Sequence, residues 1–243
     1  MTAIPRNERL IVALDLPSAA EARALVERLG DAVRFYKVGL ELFSAPGCFE
    51  LIAWLAARGN KVFADLKLHD IPETVRRAVA NLSGRGASFL TVHAHRSVLL
   101  AAAGEKGGMK ILGVTVLTSF DQKDLDEMGA TRSVEELVLS RARAALETGC
   151  DGVIASGHEA ARVKAHFKER LLVVTPGIRP LQTGEKTVRD DQKRTVDVAQ
   201  AFAAGADYIV VGRPIRDAAD PRAAAASIQQ SIATIFPATA TGA

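Results

Sequence analysis

Eight short apolar runs, rich in β-branched residues, alternate along this chain with segments whose apolar residues recur at helical spacing. Buried parallel strands are continuous apolar runs, and regular strand–helix alternation indicates a parallel sheet covered by helices. The strands are predicted in RLIVALDL, FYKVGL, KVFADLKL, FLTVHA, KILGVTVLT, GVIAS, LLVVTPGI and YIVVGRPI. The helices are predicted over residues 18–29, 46–58, 72–83, 96–104, 133–148, 158–168, 195–204 and 221–235. Eight such units predict a single-domain α/β TIM barrel, (β/α)8, over residues 1–243, with an open doubly wound sheet as the alternative.

Helix-end signals accompany this pattern. Ser18, Ser133 and Thr195 are placed as N-caps, and Pro221 stands where a first helical turn accepts proline. A glycine precedes strands four, six and eight in GASFLTV, GCDGVIA and GADYIVV, where a left-handed residue would end the preceding helix. The closing segment 237–243, PATATGA, is predicted to be a disordered tail without a chemical role.

Charge and composition exclude several classes of protein. The net charge is +3, and Lys and Arg are interspersed with Asp and Glu, which favours a solvated surface over a nucleic-acid face. No apolar run approaches a membrane span, and the apolar stretch near the N-terminus is too short for a signal sequence and is broken by Asp15. Cys48 and Cys150 form no CxxC motif and are expected to pack in the core. We therefore expect a cytoplasmic protein with no membrane or nucleic-acid partner.

The stretch VFADLKLHDIPETV, residues 62–75, carries charges where a buried strand should have none. Asp65 and Lys67 are two residues apart, so strand geometry sends both side chains to one face. An inward ion pair in a central strand is costly unless other charges compensate it. Asp15 at the end of strand one and Lys37 in strand two could do so, because the strand ends of a barrel meet at one mouth. The sequence therefore predicts a charged catalytic cluster there, which Thr118 joins from the end of strand five.

Each of the other charged residues also has a structural interpretation. Asp70 fits the N-cap of the next helix, with Glu73 completing a capping box. Asp15 could be a turn residue, and Lys37 could protect a strand edge from pairing. The charges of Asp15, Lys37, Asp65 and Lys67 would compensate one another at one barrel mouth. The set of four therefore argues for function more strongly than any one of these residues does.

Two segments resemble a phosphate site. TPGIRP follows strand seven and VGRPI follows strand eight, at the loops that most often bind phosphate in this fold. Gly177 and Gly212 would let backbone N–H groups approach an anion, and Arg179 and Arg213 would supply charged donors.

The polar segment between them, residues 180–194, is predicted to be a lid over a bound ligand. Its Arg189, Lys193 and Arg194 are interpreted as solvated charges.

Other cofactor chemistry has little support in the sequence. His93 and His95 form an HxH pair near His69, but no further ligand stands at standard zinc spacing, so no metal site is predicted. Walker A and GxGxxG motifs are also missing, which gives no support to an NTPase or a dinucleotide enzyme.

Taken together, the motifs ALD, KVG, DLKLHDIPxTV, LTS, TPGIR, DDQ and VGRPI resemble the orotidine 5′-phosphate decarboxylase family of the bacterial type. The likeness runs from about Leu10 to about Pro221, and DLKLHDIPETV is its most specific part. The resemblance implies a cofactor-free TIM-barrel homodimer that converts orotidine 5′-monophosphate to UMP.

The resemblance also implies roles for individual residues. Lys67 would donate the proton to C6 of the pyrimidine, within a catalytic array that includes Lys37, Asp65 and Asp70. Lys37 and Asp65 would contact the substrate as well, and Asp70, Ile71 and Thr74 would reach the neighbouring subunit's site. The remaining contacts would be Asp15 to the ribose, Thr118 to the pyrimidine, and Arg179, Gln192, Gly212 and Arg213 to the phosphate.

Two competing functions remain open at this point. The related 3-keto-L-gulonate 6-phosphate decarboxylases share a strand-three DxKxxD but use Mg²⁺, and they resemble this chain less because Lys37 stands where a metal-binding acid is expected. A non-catalytic nucleotide-phosphate binding protein would retain costly buried charges to no purpose.

Overall fold

A closed barrel of eight parallel strands forms the centre of the molecule, in a computed structural model that describes residues 4–179 and 194–237. The strands follow one another in sequence order, and Leu10 of the first strand pairs with Ile209 of the last to close the barrel. They are β1 (Leu10–Ala13), β2 (Phe35–Gly39), β3 (Lys61–Leu68), β4 (Phe89–His93), β5 (Lys110–Val114), β6 (Gly152–Ile154), β7 (Leu172–Thr175) and β8 (Tyr208–Val211). The predicted TIM barrel is confirmed, and the open doubly wound sheet is wrong.

Helices lie between the strands and cover the outside of the barrel. They are α1 (Ala19–Leu29), α2 (Leu40–Ser44), α3 (Cys48–Ala57), α4 (Pro72–Leu82), α5 (Arg96–Gly104), α6 (Gln122–Glu127), α7 (Val134–Glu147), α8 (Gly157–Phe167), α9 (Val198–Ala203), α10 (Arg213–Arg216) and α11 (Pro221–Ile235). Short 3-10 turns occur at Arg6–Glu8, Gly30–Ala32 and Lys168–Arg170. The sequence pattern did not predict α2, α6 or α10, which are too short to show a periodic apolar face.

Several predicted strands end earlier than expected. Strand β5 stops at Val114, so Thr118 lies in the loop after the strand and not at its end. Strand β8 stops at Val211, and the residues RPIR that follow it form α10. Apolar residues continue past both strand ends: Val116 and Leu117 line the cavity after β5, and Ile215 is buried in the core after β8. Hydropathy alone does not distinguish such residues from a strand.

The cap predictions hold in two of three cases. Ser18 accepts a hydrogen bond from the Glu21 backbone N–H at 3.2 Å, and Ser133 forms a capping box with Glu136. Thr195 is not an N-cap, because α9 begins only at Val198 and Asp197 caps it. Pro221 opens α11 as predicted.

The glycine signals before strands four, six and eight are confirmed. Gly86, Gly149 and Gly205 have φ values of +93°, +82° and +90°, the left-handed region that a Cβ makes unfavourable.

Aromatic side chains fill the barrel interior at the N-terminal ends of the strands. Phe35, Phe89 and Tyr208 open their strands, and the ring centroids of Phe35 and Phe89 lie 4.9 Å apart in an edge-to-face arrangement. Phe63 joins them, 6.0 Å from Phe89. These residues pack the N-terminal half of the barrel, which leaves the C-terminal ends of the strands as the place for a ligand.

Other sequence predictions have varied outcomes. Cys48 and Cys150 are buried and unpaired, as expected for packing residues, and burial raises the pKa of each thiol to about 11.

Across the described residues, every helix is too short or too polar to cross a membrane. The predicted lid, apart from Arg194, and the predicted tail, apart from Pro237, lie outside the described residues.

Candidate active site

A cavity of about 670 Å³ opens at the C-terminal ends of the strands. Its floor is apolar, with Ala13, Phe63 and Val210 among the contributing side chains. The sequence-predicted residues that line it are Asp15, Lys37, Asp65, Lys67, Thr118, Gly177, Arg179, Gly212 and Arg213. The tertiary structure therefore brings most of the predicted site together, from six different strand ends.

Acids and lysines alternate along one wall of this cavity. Lys37 Nζ lies 2.8 Å from Asp15 Oδ1 and 3.5 Å from Asp65 Oδ2. Lys67 Nζ lies 2.8 Å from the same Asp65 Oδ2. Asp65 thus holds both lysines, and the four charges compensate one another as the sequence predicted.

A bulge in β3 positions Lys67. The pairing of β3 with β4 shifts register between Ala64 and Leu68, and Lys67 has a left-handed φ of +47°. Its backbone N–H donates to Thr91 Oγ1 at 2.9 Å. Such strain in a non-glycine residue is typical of functional sites, where the surrounding structure maintains it.

Thr91 is a site residue that the sequence reasoning missed. It is fully buried in β4, and its hydroxyl donates to Asp65 Oδ1 at 2.9 Å while accepting from Lys67 N–H. The available signal was a single threonine in the otherwise apolar run FLTV. Thr91 links the acid and the lysine through their neighbouring strand.

The surroundings favour the charged forms of Asp65 and Lys37. Burial alone would raise the pKa of Asp65, but Lys37, Lys67 and the Thr91 hydroxyl together hold it below its usual value. Burial would lower the pKa of Lys37, but Asp65 and Asp15 outweigh that and raise it. An ammonium at the cavity wall can stabilise negative charge that develops on a bound molecule and can donate a proton to it.

The predicted anion site lies at the part of the cavity rim that follows β7 and β8, next to the end of β1. Gly177, Arg179, Gly212 and Arg213 all line the cavity, after β7 and β8. Gly177 has a φ of +76°, which favours glycine and leaves the main chain open toward the cavity. Gln192, the remaining predicted phosphate contact, lies outside the described residues.

Further lining residues were not predicted, among them Glu41, Ser119 and Arg216. Arg216 donates to the Asp15 carbonyl at 2.6 Å and so braces the loop after β1. Gly39 is a close neighbour of the charges: a Cβ there would lie 3.0 Å from Lys37 Nζ and 3.1 Å from Asp15 Oδ1. The small residue in KVG therefore leaves room for the ion pair.

Asp70, Ile71 and Thr74 do not line the cavity of their own chain. All three are exposed at the start of α4, with Ile71 67% exposed. Within the described residues Asp70 makes no ion pair with Lys67; its Oδ1 accepts from the Ile71 N–H at 2.6 Å.

The N-cap interpretation of Asp70 is wrong. Ile71 occupies the N-cap position, and no side chain caps α4. Glu73 completes no capping box, because it pairs instead with Arg76 and Arg77 one turn further along.

The three histidines lie together beside β4. The rings of His69 and His95 stack at 4.8 Å, and those of His69 and His93 lie 4.9 Å apart. Burial first, and then His69, Arg141, His95 and Lys67, lower the pKa of His93 to about 4. Through the described ranges, no group of His, Cys, Asp or Glu has the arrangement of a metal site.

Arg194 differs from its prediction as a solvated charge. Its side chain is only 12% exposed, it pairs with Glu159, and it donates to two backbone carbonyls of the loop after β5.

Comparisons with known proteins agree on one family. Residues 8–228 match the family described as Orotidine 5′-phosphate decarboxylase / HUMPS family. The chain is 59% identical over 235 residues to the orotidine 5′-phosphate decarboxylase of Methylococcus capsulatus, covering 97% of this chain and 96% of the relative. It is 50% identical over 229 residues to the enzyme of that name from Rhodopseudomonas palustris, covering 93% of this chain and 95% of the relative.

Solved structures show the same likeness. The orotidine 5′-phosphate decarboxylase of Lactobacillus acidophilus superposes with a TM-score of 0.80 at 36% identity, covering 93% of this chain and 99% of that one. The protein of that name from Pyrococcus horikoshii gives a TM-score of 0.73 at 29% identity, over 92% and 98% of the two chains.

Proposed function

The chain belongs to the orotidine 5′-phosphate decarboxylase / HUMPS family, and we propose that it acts through Lys67 as the proton donor. The reaction is the decarboxylation of orotidine 5′-monophosphate to UMP in pyrimidine biosynthesis. The observation that carries the lysine mechanism is the alternating chain Asp15–Lys37–Asp65–Lys67 on one cavity wall.

The chemistry requires a cation at the reacting carbon. When the bond from C6 to the carboxylate breaks, its electron pair stays on C6 as a vinyl carbanion that the ring cannot delocalise well. The Lys67 ammonium stabilises that charge and transfers one proton to C6, giving UMP and CO₂; the lysine then regains a proton from solvent. Asp65 Oδ2, 2.8 Å from Lys67 Nζ, holds that amino group in place before the reaction.

The cavity walls support an orientation for the substrate. The phosphate binds between the loops after β7 and β8, where Arg179 and Arg213 line the cavity and supply charge. Gln192, outside the described residues, is the further phosphate contact that the family resemblance implies. Asp15 and Lys37 then face the ribose, and Thr118 faces the pyrimidine. The phosphate is remote from the reacting carbon. Its binding energy can therefore be used to stabilise the transition state at C6.

A homodimer accounts for the exposed start of α4. Ile71 at that helix start is 67% exposed and Leu100 in α5 is 62% exposed, on two helices that pack side by side. We take these two residues as part of one apolar association surface on α4 and α5. In this proposal two copies pair there, in the cytoplasm, and each contributes Asp70, Ile71 and Thr74 to its partner's cavity.

The decisive assay uses purified protein, EDTA and orotidine 5′-monophosphate, with loss of substrate followed by ultraviolet absorbance. We expect turnover with EDTA present, and a fall of at least about 10³-fold in kcat for Lys67→Ala while UMP still binds. Near-normal turnover by Lys67→Ala would refute the proton-donor role. Activity that appears only after Mg²⁺ is added would favour the related metal-dependent decarboxylases.

A further inference from the structure

A second buried ion pair lies outside the catalytic chain of charges. Arg194 Nη1 donates to Glu159 Oε1, and the two side chains are only 12% and 9% exposed. Burying two charges costs free energy that their mutual attraction alone does not always recover. The pair therefore raises the question of what the guanidinium holds in place.

Glu159 is fixed before it meets Arg194. Its other oxygen, Oε2, accepts from the Ser156 backbone N–H at 3.2 Å and from the Ser156 hydroxyl, forming the capping box of α8. Ser156 is fully buried. The carboxylate cannot turn away from Arg194 without opening the first turn of that helix.

The second amino group of Arg194 reaches the cavity wall. Nη2 donates to the carbonyl oxygens of Leu117 at 3.0 Å and of Val116 at 3.3 Å. Thr118 follows directly in the chain, and these three residues line the cavity. The wall is past the end of β5, so no strand ladder holds it.

A second arginine supports the same loop one residue earlier. Arg141 from α7 donates to the Thr115 carbonyl, and the Thr115 hydroxyl donates to the Ile154 carbonyl at 2.7 Å. Arg141 thus holds the root of the loop, whereas Arg194 holds the part that faces the ligand.

The chain just after Arg194 contacts the other wall. The Val196 N–H donates to the Gly177 carbonyl at 3.3 Å, and the Val196 carbonyl accepts from the Arg179 N–H at 2.9 Å. Gly157 makes room for this: a Cβ there would lie 2.4 Å from Val196 Cγ2. One short stretch, residues 194–196, therefore touches the walls after β5 and after β7.

We propose that Arg194 is a positioning residue for the decarboxylation. Its guanidinium, held by Glu159, fixes the positions of the Val116 and Leu117 carbonyls. The next residue, Thr118, is thereby held in position against the pyrimidine. The Val196 backbone serves the phosphate side through hydrogen bonds that do not need the Arg194 side chain. This inference rests on the proposed substrate orientation and adds to it the residue that aligns the base-side wall.

The test compares UMP, which carries the pyrimidine, with ribose 5-phosphate, which lacks it. For Arg194→Met we expect UMP affinity and kcat/KM for orotidine 5′-monophosphate to fall by roughly tenfold to a hundredfold, since misplaced contacts cost about that much. Affinity for ribose 5-phosphate should change by less than about threefold, because the phosphate wall keeps its backbone pairing. Arg194→Lys, which retains the cation beside Glu159, should recover part of the loss.

A double-mutant cycle identifies the route of the effect. If Arg194 acts through Thr118, adding Arg194→Met to Thr118→Val should weaken UMP binding by less than the sum of the two single effects. Arg96→Met, which removes an exposed ion pair with Glu147, is the matched control and should leave binding unchanged. Glu159→Gln keeps the side-chain volume and should shift UMP binding in the same direction, which provides a second variant if Arg194→Met does not fold.

Equal loss of UMP and ribose 5-phosphate affinity, or additive effects with Thr118→Val, would overturn the proposal. A wild-type protein that binds UMP but fails to turn over the substrate would instead refute the proposed function, and the binding comparison would still decide the role of Arg194.

Discussion

At the scale of single residues, the site depends on one carboxylate with three partners. Asp65 receives Lys37 and Lys67 on Oδ2 and the Thr91 hydroxyl on Oδ1. Three compensating contacts explain how a nearly buried acid stays ionised in a barrel interior. Thr91 is the neutral member of the group, so it can be removed without changing the charge of the site.

Thr91→Val should lower both stability and activity. The change removes the donor to Asp65 and the acceptor for the Lys67 N–H, at a cost of about 2 kcal/mol for two hydrogen bonds. Loss of alignment should reduce kcat by roughly tenfold to a hundredfold. Urea denaturation and the decarboxylase assay measure the two effects.

Thr175→Val is the matched control for that variant. Thr175 is fully buried in β7, and its hydroxyl has no hydrogen-bond partner in the described part of the protein. The same change there should be neutral or slightly stabilising, since it removes no bond. Equal losses in the two variants would show that Thr91 matters only as a packed residue.

His93 should make the protein less stable in mild acid. Burial first, and then the neighbouring His69, Arg141, His95 and Lys67, lower its pKa to about 4. As the pH falls from about 6.5 toward 4, the unfolded chain binds a proton at this histidine that the folded chain does not, so the free energy of unfolding decreases.

Urea denaturation at about pH 7 and about pH 5 measures this contribution. His93→Gln should lose less stability between the two pH values than the wild-type protein does. His158→Gln, at an exposed position, should behave like the wild type. An identical decrease in the His93→Gln variant would contradict the assignment.

At the scale of elements, the side chains before and after the junction between β3 and α4 point in different directions. The β3 bulge aims Lys67 into the cavity of its own chain, while the start of α4 presents Asp70 and Ile71 outward. Helix α4 begins without a side-chain cap, although Asp70 stands one residue before the N-cap. The helix therefore does not use Asp70 for its own stability, which is consistent with a role elsewhere.

Asp70→Ala should separate activity from stability. We expect a large loss of kcat with a change in unfolding free energy below about 0.5 kcal/mol, the range of surface substitutions. Ser133→Ala should do the reverse, costing about 1 kcal/mol by removing the capping box of α7 while leaving kcat unchanged. A stability loss for Asp70→Ala as large as that for Ser133→Ala would restore the capping interpretation.

At the scale of the whole molecule, the barrel assembles one cavity, and pairing would complete it. The cavity already contains Lys37, Asp65 and Lys67 together with the loops after β7 and β8. The exposed group Asp70, Ile71 and Thr74 would be supplied by a second copy across a two-fold axis.

Mixing two inactive variants tests that arrangement. In a hybrid of Lys67→Ala and Asp70→Ala subunits, one of the two sites has both an intact lysine and an intact aspartate. With random exchange, half of the dimers are hybrids, so about one quarter of the wild-type activity should return. No recovery, with subunit exchange demonstrated by mass spectrometry, would place the action of Asp70 within its own subunit.

The amino-acid sequence alone was sufficient to predict the barrel and to place a set of charged residues at its C-terminal end. Eight apolar runs predicted eight strands, and residues at strand ends were expected to meet because parallel strands share one C-terminal edge. Asp15, Lys37, Asp65, Lys67, Thr118, Arg179 and Arg213 do line one cavity.

Only the tertiary structure decided the residues whose roles depend on contacts between distant segments. Thr91 bonds Asp65 and Lys67 from a neighbouring strand. Arg194 donates to the carbonyl of Leu117, 77 positions earlier in the sequence. Neither pairing leaves a local pattern, because hydrogen bonds between strands and loops depend on register and bulges and not on residue spacing. The local sequence determined where charge had to lie, and the closed barrel determined which groups hold it there.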